Sequence, residues 1–435
     1  MKRILLSVGC VVLLVISWAV AVTAKSDAQK QLELIQEATA YLNDEIYILA
    51  VPLLEEAAGY EDDHTLEAEN LLKDTYLHLM DQNGYRRKYE NLLAKQMARK
   101  DAAPEVFAEA AQYYLDNSEM SDAFSVMRNG IAQTGSEMLI DLYEANRYVY
   151  SVNNAVYQDV TEIYEGSIQV KQGDKWGIAS ADGSLSIPCV YDHVSTFSGG
   201  RAIVRSGQVI SAVDRTNNRV ALLHEEASDF GNYADNRMGI KVSDGWILSD
   251  WTFQTGSIVF EEIGMFSDGY AAAKIDGKWG VVDTSGGEWI IQPDYENIVR
   301  DKLGRCFAQN SVFVVEQEGQ IQLLVNGEPV GAPYEDAHPF VDGWAAVKQD
   351  GKWGFIDTQG NVKIDFQFDD ALSFGQHLAA VRVGEYWGYV SLGGEVVIDP
   401  IFLEAKSFYD GSAPVRTASG WKFITLVEYQ EGVSL

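Results

Sequence analysis

Phe340-Val-Asp-Gly-Trp-Ala-Ala-Val-Lys348-Gln-Asp-Gly-Lys-Trp353-Gly354-Phe-Ile-Asp357 sets two apolar runs around a central Asp-Gly. Such a pair signals a two-residue hairpin, because a type I′ turn needs positive φ at both central positions. With Asp350-Gly351 as the turn, Lys348 faces Trp353 and Gln349 faces Lys352. Phe266 to Asp283 repeats the pattern, with Asp276-Gly277 as turn and Lys274 opposite Trp279. A third copy runs from Phe374 to Trp387-Gly388 and a fourth from Phe408 to Trp421-Lys422, with Arg382 and Arg416 in the cation's place. A cation over an indole contributes roughly 0.5–1 kcal/mol at an exposed site. Each unit is therefore expected to carry an internal Lys/Arg–Trp clasp. The other hairpin face (Ala345, Val347, Gly354, Ile356) is small and apolar, suited to packing on a neighbour.

Spacing extends the pattern outward. Trp353, Trp387 and Trp421 are 34 residues apart, and the 74 between Trp279 and Trp353 leave room for one degenerate unit at about 302–335. Upstream, Trp176 and Trp246 mark two more units, and Phe197 begins a copy with Ile210 where Trp should stand. A third strand follows each hairpin (Trp289-Ile290-Ile291; Val396-Val397-Ile398), then an aromatic-led fourth (Asp294-Tyr295-Glu296; Ile401-Phe402-Leu403). Four short strands per repeat suit a propeller blade or one coil of a β-solenoid. Val156–Val160 resembles a fourth strand standing alone before the first unit, while the last unit stops early. Joined, they would complete an eighth blade and remove both open edges, which otherwise invite aggregation. The expectation is a propeller-like ring, with the open solenoid as alternative.

These residues resemble the WG-repeat (KWG) family over about 164–426. Lys175-Trp176-Gly177, Lys278-Trp279-Gly280 and Lys352-Trp353-Gly354 match it well, Tyr386-Trp387-Gly388 less so. At 197–230 and 302–335 there is no Trp-Gly, so irregular units are expected there. Membership implies a repeat scaffold and brings no catalytic residue.

The remaining chain is built differently. Of 38 Gly only five precede residue 161, and of ten Trp only Trp18 does. Lys2 and Arg3 precede an uncharged apolar run, Ile4 to Ala24, long enough to span a bilayer or to serve as a cleaved signal before Lys25. Either way, residues 25–435 are expected outside the cytoplasm, at the membrane if the segment is retained and secreted if it is cleaved. Between 26 and 150 the apolar spacing is helical (Leu32, Ile35, Ala38, Leu42). Pro104 opens a unit with one apolar face (Val106, Phe107, Ala110, Ala111, Tyr114, Leu115), broken at Asp116-Asn117-Ser118. A second helix runs from about Glu119 toward Gly135, and the pair resembles a tetratricopeptide repeat. The expected class is α+β multidomain: a membrane or signal helix at 1–24, a helical-repeat domain at 26–150 and an all-β repeat domain at 157–435.

Composition excludes some functions. With 33 Lys+Arg against 64 Asp+Glu, the formal charge is −31, opposed to nucleic acid as partner. Three Cys make neither a disulfide framework nor a four-ligand zinc site. His224-Glu225-Glu226 lacks the second His of a zincin, and no Gly-x-Ser-x-Gly elbow, P-loop or Rossmann fingerprint is present. The repeated Asp-Gly pairs lack the ligand run of a calcium loop and read as turns. Asp369-Asp370 and Glu261-Glu262 are the carboxylate pairs that could serve a glycosidase. No catalytic, cofactor or metal residue is assigned.

Comparison between units separates frame from variation. Trp176, Trp246, Trp279, Trp353, Trp387 and Trp421 recur and read as structural. The position four after the Phe varies: Arg201, Tyr270, Trp344, Leu378 and Ser412 in successive copies. Arg201, Tyr270, Trp344 and Leu378 are the candidate recognition residues. The leading expectation is a membrane-tethered binding or scaffold protein that meets an envelope or cell-surface protein or glycan. A polysaccharide hydrolase on the same fold and a purely structural stalk are the alternatives.

Overall fold

The computed structural model describes residues 27–428, apart from 61, 224–226, 286–287, 307–311 and 342. It divides into an α body ending at Asn146 and a β body starting at Arg147.

In the α body the described helices are Asp27–Asn43, Tyr47–Ala57, Thr65–His78, Tyr85–Met97, Pro104–Asp116, Met120–Thr134 and Glu137–Asn146. Pro104 begins its helix where its missing N–H costs nothing. Met120–Thr134 ends on Gly135 in the left-handed region, at φ 63°. The two helices approach closely: a Cβ on Gly130 would lie 2.7 Å from the Phe107 ring. Buried Glu69 accepts from Lys95 at 3.0 Å and Arg99 at 2.8 Å, which offsets the cost of burying its charge.

The β body is a closed ring of eight four-stranded antiparallel sheets. Their chain ranges are 159–191, 193–222, 229–260, 262–295, 297–334, 336–368, 370–402 and 404–426, called here blades 1 to 8. Each opens with a two-residue strand beside the central channel, followed by a hairpin and an outer strand. The hairpins have the expected register: Lys348 opposes Trp353 and Gln349 opposes Lys352. Asp350 and Gly351 have φ of 51° and 76°, the positive values a type I′ turn demands.

Alternate faces of a hairpin meet different neighbours. Ala345, Val347 and Ile356 pack with Val312 and Val314 of the preceding blade. Trp353, Ala346 and Phe355 pack with Phe374, Ala379 and Val381 of the following one. The Gly that follows Trp176, Trp279, Trp353 and Trp387 has a steric cause. Ladder pairing skips it, since Trp353 opposes Phe368 and Phe355 opposes Ile364. The bulged outer strand then presses its backbone inward, and a Cβ on Gly354 would sit 2.7 Å from the Ile364 carbonyl. Where Ser211 or Ile247 replaces Gly, the ladder continues through that residue, opposite Leu222 and Val259.

Several expectations need correction. The ring is closed, so the solenoid is excluded. The aromatic-led fourth strand is instead the end of the outer strand: Trp289–Tyr295 and Val396–Phe402 are each continuous. The missing count is made up by the two-residue strand that begins the next blade. The closing strand is Tyr150–Val152, paired with Gly420–Leu426, and not Val156–Val160. Tyr157 does bridge Trp421, taking the place that Phe368 and Phe402 hold against their Trp, but Asp159–Val160 opens blade 1. The units at 197–230 and 302–335 are not irregular as sheets; Ile210 and Ile321 stand opposite Arg205 and Glu316 in the Trp register.

The membrane helix in the expected class is also corrected. Among the described residues no helix is long and apolar enough to cross a membrane, and residues 4–24 lie outside them.

Candidate functional site

The structure disperses the four candidate recognition residues around the ring. Each begins the second strand of its blade and leans on the next one. Trp344 stands edge-on to Phe374, centroids 5.3 Å apart, and Tyr270 edge-on to Phe313 at 6.3 Å. The Arg201 guanidinium lies 4.0 Å from the Trp251 ring centroid. Leu378 is 2% exposed, inside the core of blades 7 and 8, and no partner reaches it in the folded ring. None of the four lines the central cavity.

The six recurring Trp all pack toward the following blade, and Trp279, Trp353 and Trp421 are buried. The expected clasp forms in part. Lys171, Lys241 and Lys274 lie 5.7, 5.7 and 5.9 Å from Trp176, Trp246 and Trp279. It fails elsewhere among the described residues. Arg382 donates to the Gly384 and Asp369 carbonyls, and Arg416 pairs with Glu404. The Trp353 indole instead stacks on His338, at 5.1 Å and 20°.

The acidic pairs have structural work. In five blades the acidic residue before the inner strand caps the hairpin of its own blade, as where Gly277 N donates to Glu261 at 3.0 Å and Gly384 N to Asp369 at 2.7 Å. Lys352, then that Gly384 amide, hold the Asp369 carboxyl below the usual range. Glu262 pairs with Lys274 and Asp370 with Arg382. None of these carboxylates lines the central cavity.

That cavity, of about 670 Å³, opens where the segments after the inner strands converge. Blade 5 shapes it. In place of a tight turn its segment runs Val299 to Cys306, and Leu303 is buried against Ala234, Met265 and Tyr164, side chains of blades 3, 4 and 1. Asn232 Nδ2 donates to the Leu303 carbonyl at 3.0 Å, fixing the crossing. Arg305 reaches the Tyr164 ring at 5.4 Å and pairs with Asp301 at 2.7 Å. Arg300 lies 3.6 Å from the Trp279 ring centroid, and a Cβ on Gly264 would meet the Gly304 carbonyl of the same segment at 2.5 Å. Across the seam of blades 8 and 1, Lys406 pairs with Glu162 at 3.1 Å, both largely buried. Burial pushes the His338 imidazole below its ordinary value, so it is neutral near pH 7, and lowers Arg300 in the same way. The Cys306 thiol is pushed up to about 12 by burial and stays protonated.

The sequence reading did not single out these lining residues. The available signal was Arg300-Asp-Lys302-Leu-Gly-Arg305: three cations in six residues of a chain carrying −31, at the edge of the unit that lacks Trp-Gly.

A family model, the WG containing repeat, matches residues 176–208, 257–279, 279–319, 334–353, 353–387 and 387–421, all within the ring. Repeat propellers are the class that fold and matched segments define, and the β body belongs to the WG-repeat family. No curated protein matches the chain. Among solved structures, a eukaryotic initiation factor is similar at 10% identity and TM-score 0.40, over 58% of this chain and 78% of that one. YCF48 bound to a D1 peptide is similar at 13% and 0.33, over 62% and 99%. The CNH domain of AfRom2 follows at 7% and 0.32, over 65% and 98%. Likeness at this level says nothing of this chain's function.

Proposed function

We propose that the chain is a binding scaffold that engages a protein or glycan at the mouth of the central cavity without transforming it. The observation behind this reading is the contrast between frame and lining. A buried Phe holds one position in five blades (Phe197, Phe266, Phe340, Phe374, Phe408), whereas the next position, at the cavity, varies, as in Tyr164, Ser267, Val341, Gly375 and Tyr409. A fixed frame presenting varied side chains suits recognition. The titratable groups there are largely tied to one another, as in Glu162–Lys406 and Asp301–Arg305, which favours holding a ligand over exchanging protons with it.

The test exposes the full chain to panels of peptides and oligosaccharides by calorimetry. A ligand recovered unchanged, and held at least about tenfold more weakly by Tyr409→Ala, supports the reading, since aromatic rings at a site mouth are favoured anchors. Release of reducing sugar from any oligosaccharide overturns it in favour of a hydrolase.

A further inference from the structure

We infer that the cavity holds a small sugar acid, with one carboxylate and several hydroxyls, and that Arg300 and Lys302 receive the carboxylate. The inference rests on the reading of the cavity as a binding site.

Charge within the cavity is uneven. Four of its five lining carboxylates have close partners, and Asp268 meets the Ser267 hydroxyl at 3.4 Å. Asp301 is held by Arg305, Glu162 by Lys406, Asp235 by the Gly269 amide at 2.9 Å, and Glu165 by the Ser198 hydroxyl at 2.8 Å. Arg300 and Lys302 have no such answer. The half-buried guanidinium of Arg300 finds the Trp279 face and the Asn297 amide oxygen at 3.3 Å, and among the described residues no carboxylate pairs with it. Lys302 is exposed at the mouth and likewise forms no ion pair among them. A half-buried cation without a counter-ion has lost hydration without recovering it, and an incoming carboxylate restores a charge-assisted hydrogen bond. His338, neutral and lying flat on Trp353, adds a ring nitrogen that can donate to or accept from a hydroxyl.

Size and composition narrow the ligand. About 670 Å³ suits a mono- or disaccharide. A net charge of −31 repels a long polyanion, so one negative charge delivered to a local cationic spot is favoured over many. Asp268 and Ser267 offer acceptors and the Gln376 amide nitrogen a donor for sugar hydroxyls, and Tyr164 and Tyr409 offer ring faces. An acidic peptide side chain would use the cations and leave most of those groups idle.

Calorimetry of the full chain with glucuronic acid, galacturonic acid, glucose and a glutamate-rich peptide decides the matter. A uronic acid should bind at least about tenfold more tightly than glucose. Lys302→Gln and Arg300→Gln should each erase most of that preference, with Lys302→Gln, at an exposed position, leaving the melting midpoint unchanged. Added salt should weaken binding. Equal binding of glucose and uronic acid, a preference untouched in Lys302→Gln, or no uronic acid binding at millimolar concentration overturns the inference. Binding of the peptide in place of the sugars also overturns it while leaving the scaffold reading intact, whereas turnover of an oligosaccharide removes that reading itself.

Discussion

Gly354 shows how one missing side chain organises a blade. The Ile364 carbonyl occupies the space a Cβ would need, and it belongs to backbone that cannot rotate away. Gly354→Ala should therefore cost about 1–3 kcal/mol, the usual range for overpacking, read as a lowered melting midpoint. Ala at Ser211, where the ladder runs straight, should change it little. Trp353 and Trp344 separate in the same measurement. Trp353→Ala removes a buried ring from the seam of blades 6 and 7 and should cost about 3–5 kcal/mol. Trp344→Ala gives up an edge contact and part of a half-buried surface, about 1–2 kcal/mol. Equal losses would mean that both rings are core. The recurring Trp were legible because recurrence at a fixed offset reports a shared environment. The role of the variable slot was not, because variation looks the same whether a residue meets a partner or the next blade.

Among the elements, the hairpins were readable down to register, since an Asp-Gly turn leaves only one pairing. The outer strands were misread because the Pro and aromatic that end them look like a new strand, and only the bulge across the Trp-Gly reveals continuity. Closure was readable in kind and wrong in place, because Tyr157 carries the aromatic signal while Tyr150–Val152 carries most of the pairing. The Asn153 amide donates to the Phe423 carbonyl at 2.8 Å within this closing segment. Asn153→Pro removes that donor and should weaken the last seam by about 1–3 kcal/mol. Limited proteolysis should then cut first within 404–426. Cutting that begins in blades 3 to 5 instead would show that the seam is not what holds the ring shut. The cavity was the least legible element, because it depends on where Val299–Cys306 lands, and Leu303 lands on blades distant in sequence.

The whole molecule responds to pH through two half-buried imidazoles. Burial lowers His193 and His338; Asp229 opposes this at His193, while Asp336, Asp370 and Glu162 oppose it at His338, where Lys302 adds to it. From about pH 6.5 downward the unfolded chain takes up protons that the folded one refuses, so stability falls on acidification until the folded values are reached. His193→Gln with His338→Gln should flatten the melting midpoint across that window, and an unchanged slope would assign it to other groups. Asp357, lowered to about 2 with the Asn361 side chain and amide holding its anion against burial, loses its contribution only between its ordinary 3.8 and that value, so the two effects separate on the pH axis. Ring closure also governs the response to force. The chain enters the ring at Tyr150 and leaves it at Leu426, directly opposite one another on antiparallel strands. Tension between those points loads Tyr150–Leu426 first, then Ser151–Thr425, then Val152–Ile424, so the strands peel like a zipper and never resist in shear. A ring with all eight blades complete therefore has a mechanical weak point, and pulled from its two ends it should open at blade 8 under low load.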